Sequence, residues 1–250
     1  MVYNLLTTAP HNLKDAIDWL MAIKGTDSVD ALGEAVHKVL SELPVGFKLL
    51  PSIDNMKRIT KRFLEQDEIK DQWLVGDLLQ RYDTRMTKDP EHIARALERG
   101  HKSDCHNIVE TRGLKPEDVT TYVRKIVDGC ENFLEHVKNP DTYVSTYSEN
   151  ATWDASCSKY PEGCAKVLIG TAPILYAGLQ SLWNASTPGL MTWTPFSHEK
   201  HLRKVLKAVG YKEPEYRANI GPSDVRNALS GLDGRVLYTI YDIAGFWGYY

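Results

Sequence analysis

A chain of 250 residues with 42% hydrophobic and 25% charged side chains carries enough apolar material for a buried core, which excludes the disordered class. The formal net charge of −3 excludes the concentrated basic face of a nucleic-acid binder. The opening MVYNLLTTAPHNLKDAIDWL has no basic n-region and no apolar h-region with a small-residue cleavage site, so it does not read as a signal peptide.

The dominant periodicity is helical. In NLKDAIDWLMAIKG, Leu13, Ile17, Leu20, Met21 and Lys24 share one face. Asn12 is the expected N-cap, Gly25 the expected stop, and Asp15 and Lys24 complement the helix dipole. A second helix is predicted from Ser28 to Leu43, ended by Pro44. Pro51-Ser52 starts a third, with Ile53, Met56, Ile59, Phe63 and Leu64 facing inward. Its basic stripe, Lys57, Arg58, Lys61 and Arg62, reads as a solvated face. A fourth helix, Glu68 to Tyr82, carries Ile69, Trp73, Leu78 and Leu79, and Asp89-Pro90 opens a short fifth that stops at Gly100.

Residues 101–113 have no clean period and read as a connection, with helical character left open. Lys115-Pro116 starts a helix to about Val137 with Val119, Val123, Ile126, Cys130, Phe133 and Leu134 on one side, and Asn139-Pro140 breaks it. The polar stretch from Asn139 to Tyr160 is the best candidate boundary. The chain is therefore expected to be one globular helical unit over 1–250, with 1–139 and 140–250 as its first candidate subdivision and the loop around His101 as the second candidate boundary. Within Cys164–Trp183 the length suits a bilayer span, but Lys166, Thr171, Gln180, Ser181 and the mid-run Pro173 argue for a buried, kinked helix. Gly170 and Gly178 would let neighbours approach closely. Val236 to Ile243 fits a strand or a buried helix equally. The aromatic tail ending at Tyr250 should dock in the core or on a partner.

No phosphate-binding glycine loop and no nucleophile elbow occurs. Carboxylate pairs such as Glu34 and Glu42, or Asp67 and Asp71, read as helix surface. His198-Glu199-Lys200-His201 is one residue short of a zinc-protease motif, and a helix capped by Ser197 accounts for it better. His101, Cys105 and His106, with His92, Cys130 and His136, could ligate metal only if the fold gathered them. No metal and no cofactor is predicted. Cys157 and Cys164 lie seven apart across a Pro-Gly loop, a spacing that permits a disulfide worth about 2–3 kcal/mol by ring closure. Cys105 and Cys130 read as separate buried thiols. Asn150-Ala151-Thr152 and Asn184-Ala185-Ser186 are sequons, of consequence only in a secretory pathway.

Two stretches resemble a known family. Pro10-His11-Asn12-Leu13-Lys14-Asp15-Ala16-Ile17-Asp18-Trp19 is similar to the opening segment of the variant erythrocyte surface antigens of Babesia parasites. Tyr143-Val144-Ser145-Thr146-Tyr147-Ser148, then Ala151-Thr152-Trp153, a cysteine pair and the Pro173-Ile174-Leu175-Tyr176 helix, resembles a second block of that family. TWTPFSHEKHLRKVLKAVGY and SDVRNALSGLDG fit the same arrangement. The resemblance covers the first 25 residues and roughly residues 143–232. It implies a parasite protein exported to the infected host cell or its surface, working through a protein partner in adhesion, remodelling or immune evasion. It carries over no catalytic residue.

The expectations are an all-α multi-helix bundle of about nine or ten helices, no enzyme activity, no nucleic-acid partner and no convincing membrane span. Two other readings stay open: a metal-dependent helical enzyme using some of His92, His101, His106, His198 and His201, and an intracellular parasite scaffold.

Overall fold

A computed structural model describes residues 2–46, 48–83, 104–187 and 195–250, with the backbone alone at 195–197. The predicted helix at Asp89-Pro90, the candidate ligands His92 and His101 and the Ser197 cap lie outside the described residues or side chains.

The helices are α1 (Leu13–Gly25), α2 (Val29–Ser41), α3 (Pro51–Leu64), α4 (Trp73–Asp83), α5 (Ile108–Arg112), α6 (Pro116–Val137), α7 (Trp153–Ser156), α8 (Pro161–Ser186), α9 (Pro195–Ala208), α10 (Pro222–Ala228), α11 (Gly234–Ile243) and α12 (Phe246–Tyr249). Nine of these have seven residues or more. Among the described residues there is no strand, and extended pairing is limited to isolated bridges at Tyr3–Tyr147 and Lys138–Tyr216. The protein is an all-α bundle.

The apolar periods explain the packing. α8 is apolar all round, and every residue from Val167 to Leu179 is buried, as expected of a helix surrounded by others. It packs on α1, α2, α3 and α4 from the first half of the chain and on α9, α10 and α11 from the second. Pro173 lies inside it and the helix continues through. Thr60 Oγ1 donates to the Gly170 carbonyl at 3.1 Å, holding α3 against this stretch. Gly170 and Gly178 are where neighbours come closest. A Cβ at Gly170 would fall inside the Met56 side chain, and one at Gly178 would lie 2.9 Å from Leu13 Cβ. No helix among the described residues is long and apolar enough to cross a membrane.

Local signals placed most helix starts. Asn12 Oδ1 accepts from Asp15 N at 2.9 Å, and Asp118 Oδ2 accepts from Lys115 N at 2.9 Å. Lys24, at the end of the α1 face, reaches Asp128 at 3.0 Å and Glu131 at 2.6 Å on α6. Val236–Ile243 is helix, and Phe246, Trp247, Tyr249 and Tyr250 are buried in the core.

Three expectations are corrected. α1 includes Gly25, and the positive φ falls on Asp27, so the stop is a turn after the glycine. α4 starts at Trp73 and not at Glu68, because 67–71 forms turns, and Trp73 is 77% exposed at its first position. Its buried face uses Val75, Leu78 and Arg81. Within the predicted connection 101–113, the helical character left open is realised as helix α5, capped by Asn107, whose Oδ1 accepts from Val109 N at 3.0 Å. Cys105 is half-buried, unlike the buried Cys130.

Candidate functional site

The two blocks quoted for the family resemblance meet in space. Asp18, 1% exposed on α1, accepts from the Tyr143 hydroxyl through Oδ1 and from Thr146 N at 2.8 Å and Thr146 Oγ1 at 3.0 Å through Oδ2. Lys14, one turn earlier and also buried, donates to Asp18 Oδ2 at 3.1 Å and to the Val144 carbonyl at 2.7 Å. Its ammonium also lies 4.7 Å from the centre of the Tyr143 ring and 3.5 Å from Glu215. The helical i,i+4 spacing of Lys14 and Asp18 puts both on the face that meets the 143–147 loop. Burial, followed by nearby Tyr211 and Asp18, pushes the Tyr143 phenol well above its ordinary value. Tyr147 donates to the Thr8 carbonyl at 2.7 Å, and Trp19 Nε1 to the Leu6 carbonyl at 2.7 Å. Thr152 caps α7, accepting from Ala155 N at 3.2 Å, and Trp153 is buried. Each conspicuous polar residue of the two blocks therefore has a structural duty.

A second buried network joins α4 to α11. Arg81 Nη2 donates to Asp104 Oδ2 at 2.8 Å and to the Tyr241 hydroxyl at 2.5 Å, and Tyr241 donates to Asp104 Oδ1 at 2.7 Å. Arg81 Nη1 holds Asp77 Oδ2 at 2.8 Å, and the guanidinium lies 5.2 Å from the Phe246 ring centre. This cluster was not legible in the sequence: Asp77, Arg81 and Asp104 lie 137 or more positions before Tyr241 and Phe246, and the local signal was an arginine at the apolar spacing of α4. Nearby, Lys57 donates to the Tyr249 carbonyl and lies 4.5 Å from the Tyr250 ring centre. Burial lowers its ammonium pKa. Lys57 is thus half-buried, so the reading of its stripe as wholly solvated is corrected at that residue. Lys61 of the same stripe pairs with Asp83 at 2.5 Å.

The remaining predicted positions are spread apart. Cys157 and Cys164 form a disulfide, 6.0 Å apart at Cα and both buried. Asn150 is exposed in the loop before α7. Asn184 is exposed on the last turn of α8, where it donates to Gln72 Oε1 at 3.1 Å, while Ser186 of the same sequon is fully buried. His198 and His201 lie on α9, and burial, then His198 and Lys204, lowers the His201 pKa. Burial pushes the Cys130 thiol up to about 12, so it is an inert thiol. His136 Nδ1 bonds the Asn132 carbonyl of its own helix at 2.7 Å. Among the described residues, no group of three or more His, Cys, Asp or Glu is placed to hold a metal ion.

Two open clefts are lined by polar side chains. One of about 760 Å³ has Lys57, Lys61, Tyr82 and Tyr250 on its walls, and its lysines are already engaged as described. The other, of about 780 Å³, lies at the start of α1 beside Tyr3, His11, Asp15, Arg62 and Lys207. Burial raises the Asp15 pKa against the opposing His11 N–H, from which Asp15 Oδ2 accepts at 3.1 Å. That bond caps α1, so Asp15 is committed to the fold. Tyr3 OH lies 3.5 Å from His11 Nδ1, too long for a strong bond. Exposed aromatic surface lies elsewhere: Trp73 and Trp183 adjoin the hydrogen-bonded pair Gln72 and Asn184. Comparison with protein-family models, with curated proteins and with solved structures finds no match to this chain.

Proposed function

We propose that the chain is a non-enzymatic parasite protein of the variant erythrocyte surface antigen type, acting through contact with a protein partner in host-cell remodelling, adhesion or immune evasion. The observation that supports this reading is the meeting of Lys14 and Asp18 of the first block with Tyr143, Val144 and Thr146 of the second. The two stretches that resemble the family make one folded junction, which supports reading the resemblance as that of one shared scaffold. Trp73 and Trp183 supply the exposed aromatic area that contact surfaces favour.

The deciding experiment is localisation of the native protein in infected red cells by a specific antibody, combined with protease treatment of intact cells. The expected result is signal in the host cell or on its surface, with loss on protease treatment for the surface fraction. Signal confined to the parasite interior would overturn the proposal in favour of a scaffold. Elemental analysis of the purified protein adds a second arm: stoichiometric bound metal would favour the metal-enzyme reading.

A further inference from the structure

The first residues of the chain form a strap. Tyr3 N donates to the Thr146 carbonyl at 2.7 Å and Ser148 N to the Tyr3 carbonyl at 2.9 Å. Ser148 Oγ donates to Asn4 Oδ1 at 2.8 Å, and Leu6 N to Ser156 Oγ at 2.9 Å. The side chain of Leu6 is fully buried, and its carbonyl accepts the Trp19 indole N–H. Residues 2–8 thus lie over α1 and are held from outside by the loop 143–156.

That loop is fastened at two ends by different means. At its start, Asp18 grips Tyr143 and Thr146 from the rigid helix α1. Past Ser148 its backbone bonds are local: Ala151 N to the Ser148 carbonyl, Ser156 N to Thr152, Cys157 N to Trp153, Tyr160 N to Cys157. These hold the segment to itself and not to the bundle. The fastening at this end is the buried side chains of Ala151 and Trp153 and the covalent bond from Cys157 to Cys164 in the first turns of α8. Ser156, which holds Leu6, is the residue next to Cys157.

We propose that the Cys157–Cys164 disulfide is a redox-sensitive latch on this strap. Closed, it keeps Ser156 against Leu6 and residues 2–8 over Trp19. Opened by an external dithiol, it frees the 148–160 segment and the Leu6 end of the strap, while the Asp18 grip and the bundle stay in place. The exchange balances: one thiolate of the dithiol attacks a cysteine sulfur, the Cys157–Cys164 bond breaks, and a mixed disulfide forms. The second thiolate closes on that bond, releasing the other cysteine. Two electrons pass to the protein, and the two cysteine thiolates take up the two protons the dithiol gave up. Because both sulfurs are buried, attack waits for local opening, so reduction is slow relative to an exposed disulfide. The latch is independent of the function proposed above.

The test is hydrogen exchange read by mass spectrometry on the full chain, oxidised in a glutathione buffer and then compared with the same protein reduced by dithiothreitol and alkylated. The expected result is exchange faster by about tenfold or more at residues 3–8 and 148–160 in the reduced form, with α1 and residues 167–186 unchanged. The double variant C157S/C164S should reproduce that pattern without reductant. Equal protection of the strap in both forms overturns the latch. So does a uniform rise across all helices, which would make the disulfide a support of the whole fold. Titration of four free thiols in the oxidised, unfolded protein overturns it as well.

Discussion

The Tyr143 hydroxyl donates to Asp18, so a loop residue is bonded to a helix residue 125 positions earlier in the chain. The acceptor is a buried carboxylate that also takes Lys14 and Thr146. Tyr211, fully buried nearby, presents the contrasting case: its hydroxyl has no hydrogen-bond partner among the described residues.

The two phenols should therefore respond in opposite ways to loss of oxygen. Tyr143→Phe strips a donor from a buried charge and should destabilise the protein by about 1–3 kcal/mol. Tyr211→Phe removes a buried, unsatisfied polar atom with little change of shape and should be neutral or stabilising. Urea unfolding followed by circular dichroism measures both. Equal losses in the two variants would mean that ring packing, not the Asp18 bond, decides the effect.

Arg81 and Asp104 provide a second comparison. Arg81→Ala leaves Asp104, 1% exposed, without its cation and should cost about 3–5 kcal/mol. The paired replacement Arg81→Met with Asp104→Leu removes both charges, and its cost should fall well below the sum of the single changes. A double-mutant cycle in urea reads the coupling directly. Additive costs would show that the pair is not coupled across 2.8 Å.

How much of this could be read from residues alone follows from the range of each interaction. The caps at Asn12 and Lys115-Asp118 and the apolar period of α6 are local, and they were legible. So was the burial of Cys164–Leu182, where apolar residues occupy every face. Trp73 is aromatic yet exposed, because the helix starts at that residue. The burial of Arg81 was not legible, since it depends on Asp104 and Tyr241, which no helical period connects to it. The Asp18 junction was visible only as two separate strings, because its bonds span 125 residues or more.

Close packing at Gly170 gives a prediction with its own rescue. A methyl group there would enter the space of the Met56 side chain on α3. Gly170→Ala should cost about 1–3 kcal/mol by overpacking, despite the better helix propensity of alanine. Met56→Ala alone should cost about 2–5 kcal/mol through the cavity it leaves. Combining them lets the new methyl occupy part of that cavity, so the double variant should be more stable than the sum of the two losses implies. Thermal unfolding of the three variants checks this, and strict additivity would place the strain elsewhere.

Alkaline pH should unfold the protein through its buried phenols. Burial raises Tyr143, Tyr147, Tyr211 and Tyr241 well above the ordinary phenol value of 10.0, and it raises Tyr176 and Tyr249 to about 12. Between the unfolded and folded pKa values the unfolded chain has released the phenolic proton and the folded chain has kept it. The folded state then binds more protons, so stability falls as pH rises above about 10. Lys57 acts with the opposite sign. Its pKa is lowered by burial, so just below 10.5 the folded state binds fewer protons and stability rises with pH. One lysine opposes six tyrosines, and the tyrosines dominate. The expected loss is on the order of several kcal/mol between about pH 10 and about pH 12. Tyrosinate absorbance and helical circular dichroism followed together provide the check. The buried phenols should ionise in one cooperative step as the helix signal is lost. Ionisation of all thirteen tyrosines near the ordinary value, with the helices intact, would contradict the burial that the structure assigns to them.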